Sequence, residues 1–309
     1  MKNEDHPWFF GNNILLHNSV YFSAEPILKK DPAYKDFDWS RDNVVALYDA
    51  ISNEVNDSFQ NFMVANFNCP SDRAEIIAAG RELIASKGMF IRKKRYALLV
   101  YDDEGDRLDL DDKYKEKDGK IKAMGLDTKR TDTPKTVQDF LTDILQLVLQ
   151  EGNEQTVLDF ISNFREEFRN WDSWNKGVPK GVKGITEYSD KIKRTKGKVS
   201  LPGHVRASFN YNKLRELNGD HESLEINDGS KIVVCKLKNN ALDMNSIAYP
   251  ADEERLPQWF KELPFDDNLM EDGLIDRKLQ NLIGVLKWDL KSTKNDTNFG
   301  MLFAPKKKK

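Results

Sequence analysis

The sequence predicts an α+β fold in which strands and one long helix fill the first part of the chain and helices dominate the rest. Three observations carry this. The run "RYALLVY" at 95–101 is apolar, β-branched and aromatic, and charged residues bound it. Val44, Tyr48, Ile51, Val55, Phe59 and Phe62 recur at three- and four-residue spacing through 40–67, the signature of a long amphipathic helix. From residue 126 two further helical stripes follow in tandem, separated by Gly152.

The 309 residues suit one large domain or two smaller ones, and 39% hydrophobic content can bury a core. A formal net charge of -3 conceals 48 basic and 51 acidic residues, so affinity for a polyanion must come from local segregation of charge. Two cysteines, Cys69 and Cys235, are too few for a disulfide framework or a thiolate zinc site, which suggests a reducing compartment. No run approaches 18 apolar residues, and the acidic, Asn-rich start is unlike a secretory signal. The expectation is a cytoplasmic protein with no membrane partner.

Taken in order, "SVYFSA" at 19–24 alternates as a strand does. The helix of 40–67 has Ser40 or Asp42 as a cap, and Cys69-Pro70 should end it. After the 95–101 strand, "DDEGDRLDLDD" reads as a turn and an exposed excursion, with about 108–118 on the surface. Its carboxylates lack the alternating positions, central Gly and terminal Glu of an EF-hand loop. Thr133-Pro134 reads as a cap followed by Pro at the first helical position, with Val137, Phe140, Leu141, Ile144, Leu145 and Val148 as the buried face. A second helix at about 153–171, striped by Val157, Phe160, Ile161, Phe164 and Phe168, should fold back to make a helical hairpin.

Between 176 and 198 lie Lys176, Lys180, Lys183, Lys191, Lys193, Arg194, Lys196 and Lys198 against only Glu187 and Asp190, with four interspersed glycines. Such a flexible basic segment either follows a phosphate backbone or is a solvated loop. "DGSKIVVCKL" at 228–237 is a turn into a strand, and 273–290 suggests a last amphipathic helix through Leu274, Ile275, Leu279, Leu282, Ile283 and Leu286. There is no internal repeat.

The segment "NNILLHNSVYFSAE" at 12–25 contains a reactive set. An Asn side-chain amide can attack its own backbone carbonyl and cleave the next peptide bond when an acid-base group assists, and a following hydroxyl can first accept an acyl group. His6, then "FFGNNILLHN", then Ser19 resembles the C-terminal end of an intein, with Asn13 where that family usually has Gly. The resemblance implies Asn18 as the cyclising residue, His17 as its assistant, His6 as an upstream proton-transfer partner and Ser19 as the acyl acceptor. The alternative is an ordinary loop tripeptide. Eighteen residues cannot bury a core, so the segment would react only as half of a split intein.

A second resemblance covers most of the chain after Asn18. "RELIASKG" at 81–88, "KKRY" at 93–96, "MGLDT" through "TPK" at 124–135, "PGHVRASFNYNKL" at 202–214 and "KIVVCKL" through "SIAYP" at 231–250 resemble, in this order and spacing, the end of the palm and the thumb of family B DNA polymerases of the T-even bacteriophage type. That family carries a Tyr-Gly-Asp-Thr-Asp-Ser motif whose last Asp binds catalytic metals. This chain starts at the motif's Ser, directly after the intein-like His-Asn.

The resemblance implies an incomplete palm followed by a mainly helical thumb with a small β portion. Residues 1–18 would be the intein fragment, 19–125 palm, 126–296 thumb and 297–309 a clamp-binding tail. It further implies Mg2+ and dNTPs as cofactor and substrates, with the main metal ligands supplied by an upstream polymerase chain, and primer-template DNA and a sliding clamp as partners. The host cell would be an infected bacterium. Lys93, Lys94, Arg95 and Tyr96 would hold primer-template near the primer terminus. Lys129, Arg130, Thr133, Lys135, His204 and Arg206 would track duplex phosphates. Glu82 matches an acidic position near the metals, or forms a plain salt bridge with Arg81 or Lys94. In "TNFGMLF", Phe299, Leu302 and Phe303 would anchor the clamp contact, whereas the trailing "APKKKK" departs from the family and reads equally as a DNA-binding tail or an artificial one.

The functional expectation is a polymerase C-terminal part joined to its partner by trans-splicing. The alternatives are a non-splicing accessory subunit that binds duplex DNA noncovalently and an inactive remnant.

Overall fold

The structure, a computed structural model, describes residues 8–11, 14–17, 23–76, 78–195 and 199–294. The chain divides into two compact units, Met1–Arg81 and Glu82–Lys309. The strand expected at 19–24 falls almost wholly outside the described residues.

In the first unit, β1 (Trp8–Gly11) and β2 (Ile14–His17) form an antiparallel hairpin in which Trp8 faces His17. A short α1 (Glu25–Leu28) has Pro at its start, and a 3-10 turn at Pro32–Tyr34 is capped by Asp31, whose carboxylate accepts from the Ala33 amide at 2.9 Å. The long helix α2 (Arg41–Phe67) lies where the apolar period places it. Ser40 is its N-cap by position but its hydroxyl makes no capping bond. The helix ends at Asn68, in the left-handed conformation at φ 50°, one residue before the expected Cys69-Pro70 stop. Asn tolerates that conformation better than other side chains and closes the last turn itself. Of the expected stripe, Val44, Tyr48, Ile51 and Phe59 are half-buried, whereas Val55 and Phe62 are exposed. The returning chain is tied along the helix by Asn56, which bonds both the amide and the carbonyl of Ala79, and by an Arg81–Asp49 ion pair.

The second unit opens with β3 (Leu83–Arg92), which turns at Lys93-Lys94 into β4 (Arg95–Asp103). β4 is the centre of its sheet. Its other side pairs with the two-residue β5 (Asp106–Arg107) and with β6 (Lys120–Met124). Ala97 through Asp102 are buried, which accounts for the continuous apolar run in the sequence. The excursion at 108–118 lies on the surface as expected, mostly exposed, and is tied down where the Leu108 amide donates to the Tyr101 carbonyl, where Asp109 pairs with Arg107 and where the Lys117 carbonyl accepts from Gln150.

Next come α3 (Lys135–Gln150) and α4 (Glu154–Arg169). Pro134 is the N-cap of α3 rather than its first helical residue, so the expected start is one position early. The buried face ends on Leu149, with Val148 half-buried beside it. Gly152 at φ +66° and the Asn153 cap, which accepts from the Thr156 amide at 3.3 Å, reverse the chain between the helices. Phe140 stacks on Phe164 with ring centroids 3.7 Å apart. This hairpin, Met89, Ala97 and Leu99 of the sheet, and Leu274, Ile275, Leu279, Leu282 and Ile283 near the C-terminus share one core.

A second core is built from the antiparallel sheet β7 (Val178–Gly181), β8 (Lys231–Lys236) and β9 (Ser246–Pro250). Around it pack α5 (Ile185–Arg194), α6 (Gly203–Leu217) and α7 (Gln258–Lys261). The basic run at 176–198 is therefore no continuous flexible loop. Its first part is a 3-10 turn and a strand, its second a helix, and Lys176 is buried over the Phe168 ring. Lys196 and Lys198 lie outside the described residues. The last helix starts earlier than its apolar stripe, with α8 (Asp267–Glu271), a π turn at Asp272–Asp276 and α9 (Arg277–Ile283). It ends in a 3-10 turn at Gly284–Leu286, so 287–290 are not helical.

One charged group lies between α4 and this terminal segment. Arg165 is only 1% exposed, and it donates to Glu271 at 2.7 Å, Asp276 at 2.5 Å and Thr293 at 3.0 Å. Arg169 and Lys294 pair with the same two carboxylates from the rim, at 3.1 and 2.5 Å.

Candidate nucleic-acid interface

The β3–β4 turn presents Lys93 and Lys94 to solvent. Lys94 adopts φ +63°, a conformation that costs roughly 1 kcal/mol for a residue with a Cβ. Gly125 is packed against this turn. At φ +65°, a Cβ added to it would sit 2.3 Å from the Lys94 carbonyl oxygen, so only glycine fits. Arg95 is half-buried, donating from Nε to the Gly125 carbonyl at 3.1 Å, with Nη2 4.0 Å from Asp127. Tyr96 is half-buried, its ring 5.9 Å from that of the exposed Phe90. A rigid cationic turn flanked by aromatic rings can meet phosphates and sugar edges without reading sequence.

Glu82 pairs with Lys122 at 2.6 Å, not with Arg81, which binds Asp49, nor with Lys94. That pairing raises the Lys122 ammonium above its ordinary range, the hydrogen bond it donates to Glu82 outweighing partial burial.

The loop at 125–135 holds the densest set of charges. Asp127 and Thr128 are buried in a 3-10 turn, and Lys129 beside them is exposed. Arg130 forks onto Asp132, Nε to Oδ1 at 2.9 Å and Nη2 to Oδ2 at 3.0 Å, and also lies 3.3 Å from Asp127. Lys180, arriving on β7, donates to the second oxygen of Asp132 at 2.9 Å. These two cations, Arg130 first, hold the Asp132 carboxyl well below the usual carboxylate range against the opposing effect of burial. Lys278 of α9 donates to the Thr133 hydroxyl at 2.8 Å and approaches Asp127 at 3.7 Å. Burial pulls its ammonium below the usual lysine range, and Asp127 and Asp132 offset this in part. Gln138 fixes the loop by donating to the Arg130 and Thr133 carbonyls at 3.0 and 2.8 Å.

The expected residues are therefore gathered in part. Arg95, Arg130 and Thr133 belong to one network, and Lys129 shares its loop. Thr133 is buried at 2% exposure, its hydroxyl accepting from Lys278. Lys135 pairs with Asp139 on the first turns of α3 at 2.6 Å. His204 and Arg206 share no hydrogen bond or ion pair with the network among the described residues. Arg206 is exposed on α6 and donates to the Leu201 carbonyl at 3.4 Å. Asp127, Asp132, Lys180 and Lys278 are the participants that sequence reasoning did not assign to the site. The signals were the alternating acids and bases of "LDTKRTD" and a lysine inside the apolar stripe of the last helix.

His6, Asn18 and Ser19 lie outside the described residues, and His17 is described only as the end of β2. Phe299, Leu302 and Phe303 lie outside them as well. Among the described residues no group of three or more His, Cys, Asp or Glu side chains could hold a metal ion, and no helix is long and apolar enough to cross a membrane.

Comparison with known proteins gives a direction. Over 168 residues, 54% of this chain, the sequence is 33% identical to the DNA-directed DNA polymerase of Enterobacteria phage T4. This chain resembles a segment of phage DNA polymerases. A similar stretch is 31% identical to the DNA-directed DNA polymerase of Escherichia phage RB69. In both, the match spans 17% of the relative's own length. No model of a protein family matches the chain.

Proposed function

We propose that this chain is the C-terminal part of a phage replicative DNA-directed DNA polymerase, completed by an upstream chain and joined to it by protein trans-splicing. The observation that carries the polymerase half is the 168-residue similarity to two phage DNA polymerases. The cationic turn at Lys93-Lys94 and the charged loop at 125–135 support it, because a thumb needs cations on a rigid frame to follow duplex phosphates.

In this reading Lys93, Lys94, Arg95 and Tyr96 steady the primer-template, and Lys129, Arg130, Lys135, His204 and Arg206 attract its backbone. Magnesium, held by the upstream chain's carboxylates, would supply charge neutralisation for nucleotidyl transfer from dNTPs. The described residues of this chain offer no metal cage of their own, and Glu82 is engaged with Lys122. In this reading the chain's cations bind and orient DNA. The tail residues Phe299, Leu302 and Phe303 would dock on a sliding clamp as apolar anchors. The protein would work in the cytoplasm of an infected bacterium.

The splicing half rests on the residues around His17-Asn18-Ser19, preceded by a hairpin that pairs Trp8 with His17. The Ser19 hydroxyl takes the acyl group of the upstream chain from an ester or thioester, which releases that leaving group. The Asn18 side-chain nitrogen then attacks its own backbone carbonyl, closing a succinimide and breaking the bond to Ser19. The freed Ser19 amine accepts the acyl group from its own oxygen, leaving an ordinary peptide bond. His17 and His6 move the protons.

The test is intact-mass analysis after mixing with the upstream chain, beside an Asn18→Ala, Ser19→Ala double variant. A ligated product containing this chain without residues 1–18, and absent with the variant, is the expected result. Unchanged masses in a mixture that still extends primers would replace splicing with a noncovalent accessory subunit. Unchanged masses and no extension would leave an inactive remnant.

A further inference from the structure

The network around Asp132 has a property that phosphate binding alone does not explain: its most exposed cation is already occupied. Arg130 is 59% exposed, yet both arms of its guanidinium fork lie on the two oxygens of one carboxylate, at 2.9 and 3.0 Å. That bidentate arrangement is the one a guanidinium makes with a phosphate. Lys180 closes the other side of the same carboxylate at 2.9 Å, and Asp127 and Lys278 sit behind. Arg95, Arg130, Lys180 and Lys278 bring four positive charges against the two carboxylates, so the patch keeps a positive surplus at neutral pH.

We propose that Asp132 is a built-in stand-in for a DNA phosphate, holding Arg130 and Lys180 in a phosphate-ready fork and yielding that place to the duplex backbone when DNA binds. The inference rests on the DNA-binding reading above and deepens it. The cations stay pre-organised in the free chain, so little side-chain freedom is lost on binding. The carboxylate in turn competes with DNA and lowers affinity for any weakly held polyanion. Asp132 is thus a positioning residue with a competitive cost, and Lys180 and Lys278 are members of the site.

The test uses the full chain and a labelled primer-template duplex, with fluorescence anisotropy read across a salt series. Asp132→Asn should tighten binding on the order of threefold to tenfold at low salt and steepen the slope of log K against log salt by about one, because a cation neutralised internally becomes one neutralised by phosphate. Asp132→Ser, which removes the charge but keeps a small polar group, should do the same and guards against a folding artefact of the first variant. Asp112→Asn is the charge control, since Asp112 is 95% exposed and pairs with Lys115 in the surface excursion. In an Arg130→Gln background the gain from Asp132→Asn should shrink by at least half.

Equal affinity and slope for wild type and Asp132→Asn would overturn the proposal while leaving DNA binding intact. So would a gain matched by Asp112→Asn, or weaker binding by both Asp132 variants. Absence of binding by wild type and every variant at low salt would remove the DNA-binding reading itself, and this proposal with it.

Discussion

Replacing Arg165 with Met isolates the charge cluster that closes the first core. Methionine fills nearly the same stem volume without the guanidinium, so the cost reports the electrostatics rather than a cavity. Three hydrogen bonds go, to Glu271, Asp276 and Thr293. Glu271 and Asp276 are left 11% and 18% exposed with one rim cation each, Arg169 at 3.1 Å and Lys294 at 2.5 Å. Breaking a buried pair by removing one partner costs about 3–5 kcal/mol. The surviving rim cations reduce that here to about 2–4 kcal/mol. Urea titration of the full chain, followed by tryptophan fluorescence and by hydrogen exchange in α9, is the assay. A triple variant, Arg165→Met with Glu271→Gln and Asp276→Asn, should recover at least half the loss, because the stranded carboxylates rather than the missing bonds dominate it. A loss below about 1 kcal/mol for the single variant, or a triple variant less stable than the single, would refute the reasoning.

Three other outcomes are expected. Gly125→Ala should cost about 1–3 kcal/mol, since its Cβ would meet the Lys94 carbonyl at a positive φ, and should weaken duplex binding by shifting the Lys93-Lys94 turn; melting and anisotropy check both. Phe164→Ala should cost about 3–5 kcal/mol by emptying the stack against Phe140, measured by thermal unfolding. Asp220 gives a pH dependence: burial pushes its carboxyl up, but hydrogen bonds from Ser223, Trp259 and Glu222 more than offset this and hold it at about 2. Its folded pKa is depressed, so its stabilisation is complete above the unfolded value near 4 and fades as pH falls toward 2; Asp220→Asn should therefore destabilise at pH 7 and matter progressively less in denaturation series below pH 4.

Much of the architecture was legible because period and burial agree. α3 and α4 show 3.6-residue stripes that are buried, β4 and β8 are apolar runs with charged flanks, and α2 follows its stripe although Val55 and Phe62 of it are exposed. β3 escaped because "LIASKGMFIR" mixes charge and glycine, as suits a strand paired on one side and exposed at Ser86, Lys87, Gly88, Phe90 and Arg92. β6 and β7 are five and four residues long, and β7 contains Pro179, so local pattern argues against a strand that tertiary pairing nevertheless makes. At the site, Arg95 and Arg130 were legible, and the acids and lysines that pair around them were not. Lys180 reaches Asp132 across 48 residues and Lys278 reaches Thr133 across 145, and no spacing rule links positions so far apart. Arg165 was hidden for the same reason, a charge on a helix face whose partners all lie beyond residue 270.

That last separation bears on how the chain is made. The α3–α4 hairpin leaves the ribosome long before the segment that covers it, and Arg165 must wait 106 residues for Glu271 and 128 for Thr293. A nascent chain halted at residue 260 would carry a bare guanidinium and an open apolar face where Leu274, Leu279 and Leu282 belong. The first core is therefore finished only once the segment from Glu271 to Thr293 has been made, and its folding is timed by that segment rather than by the hairpin it covers.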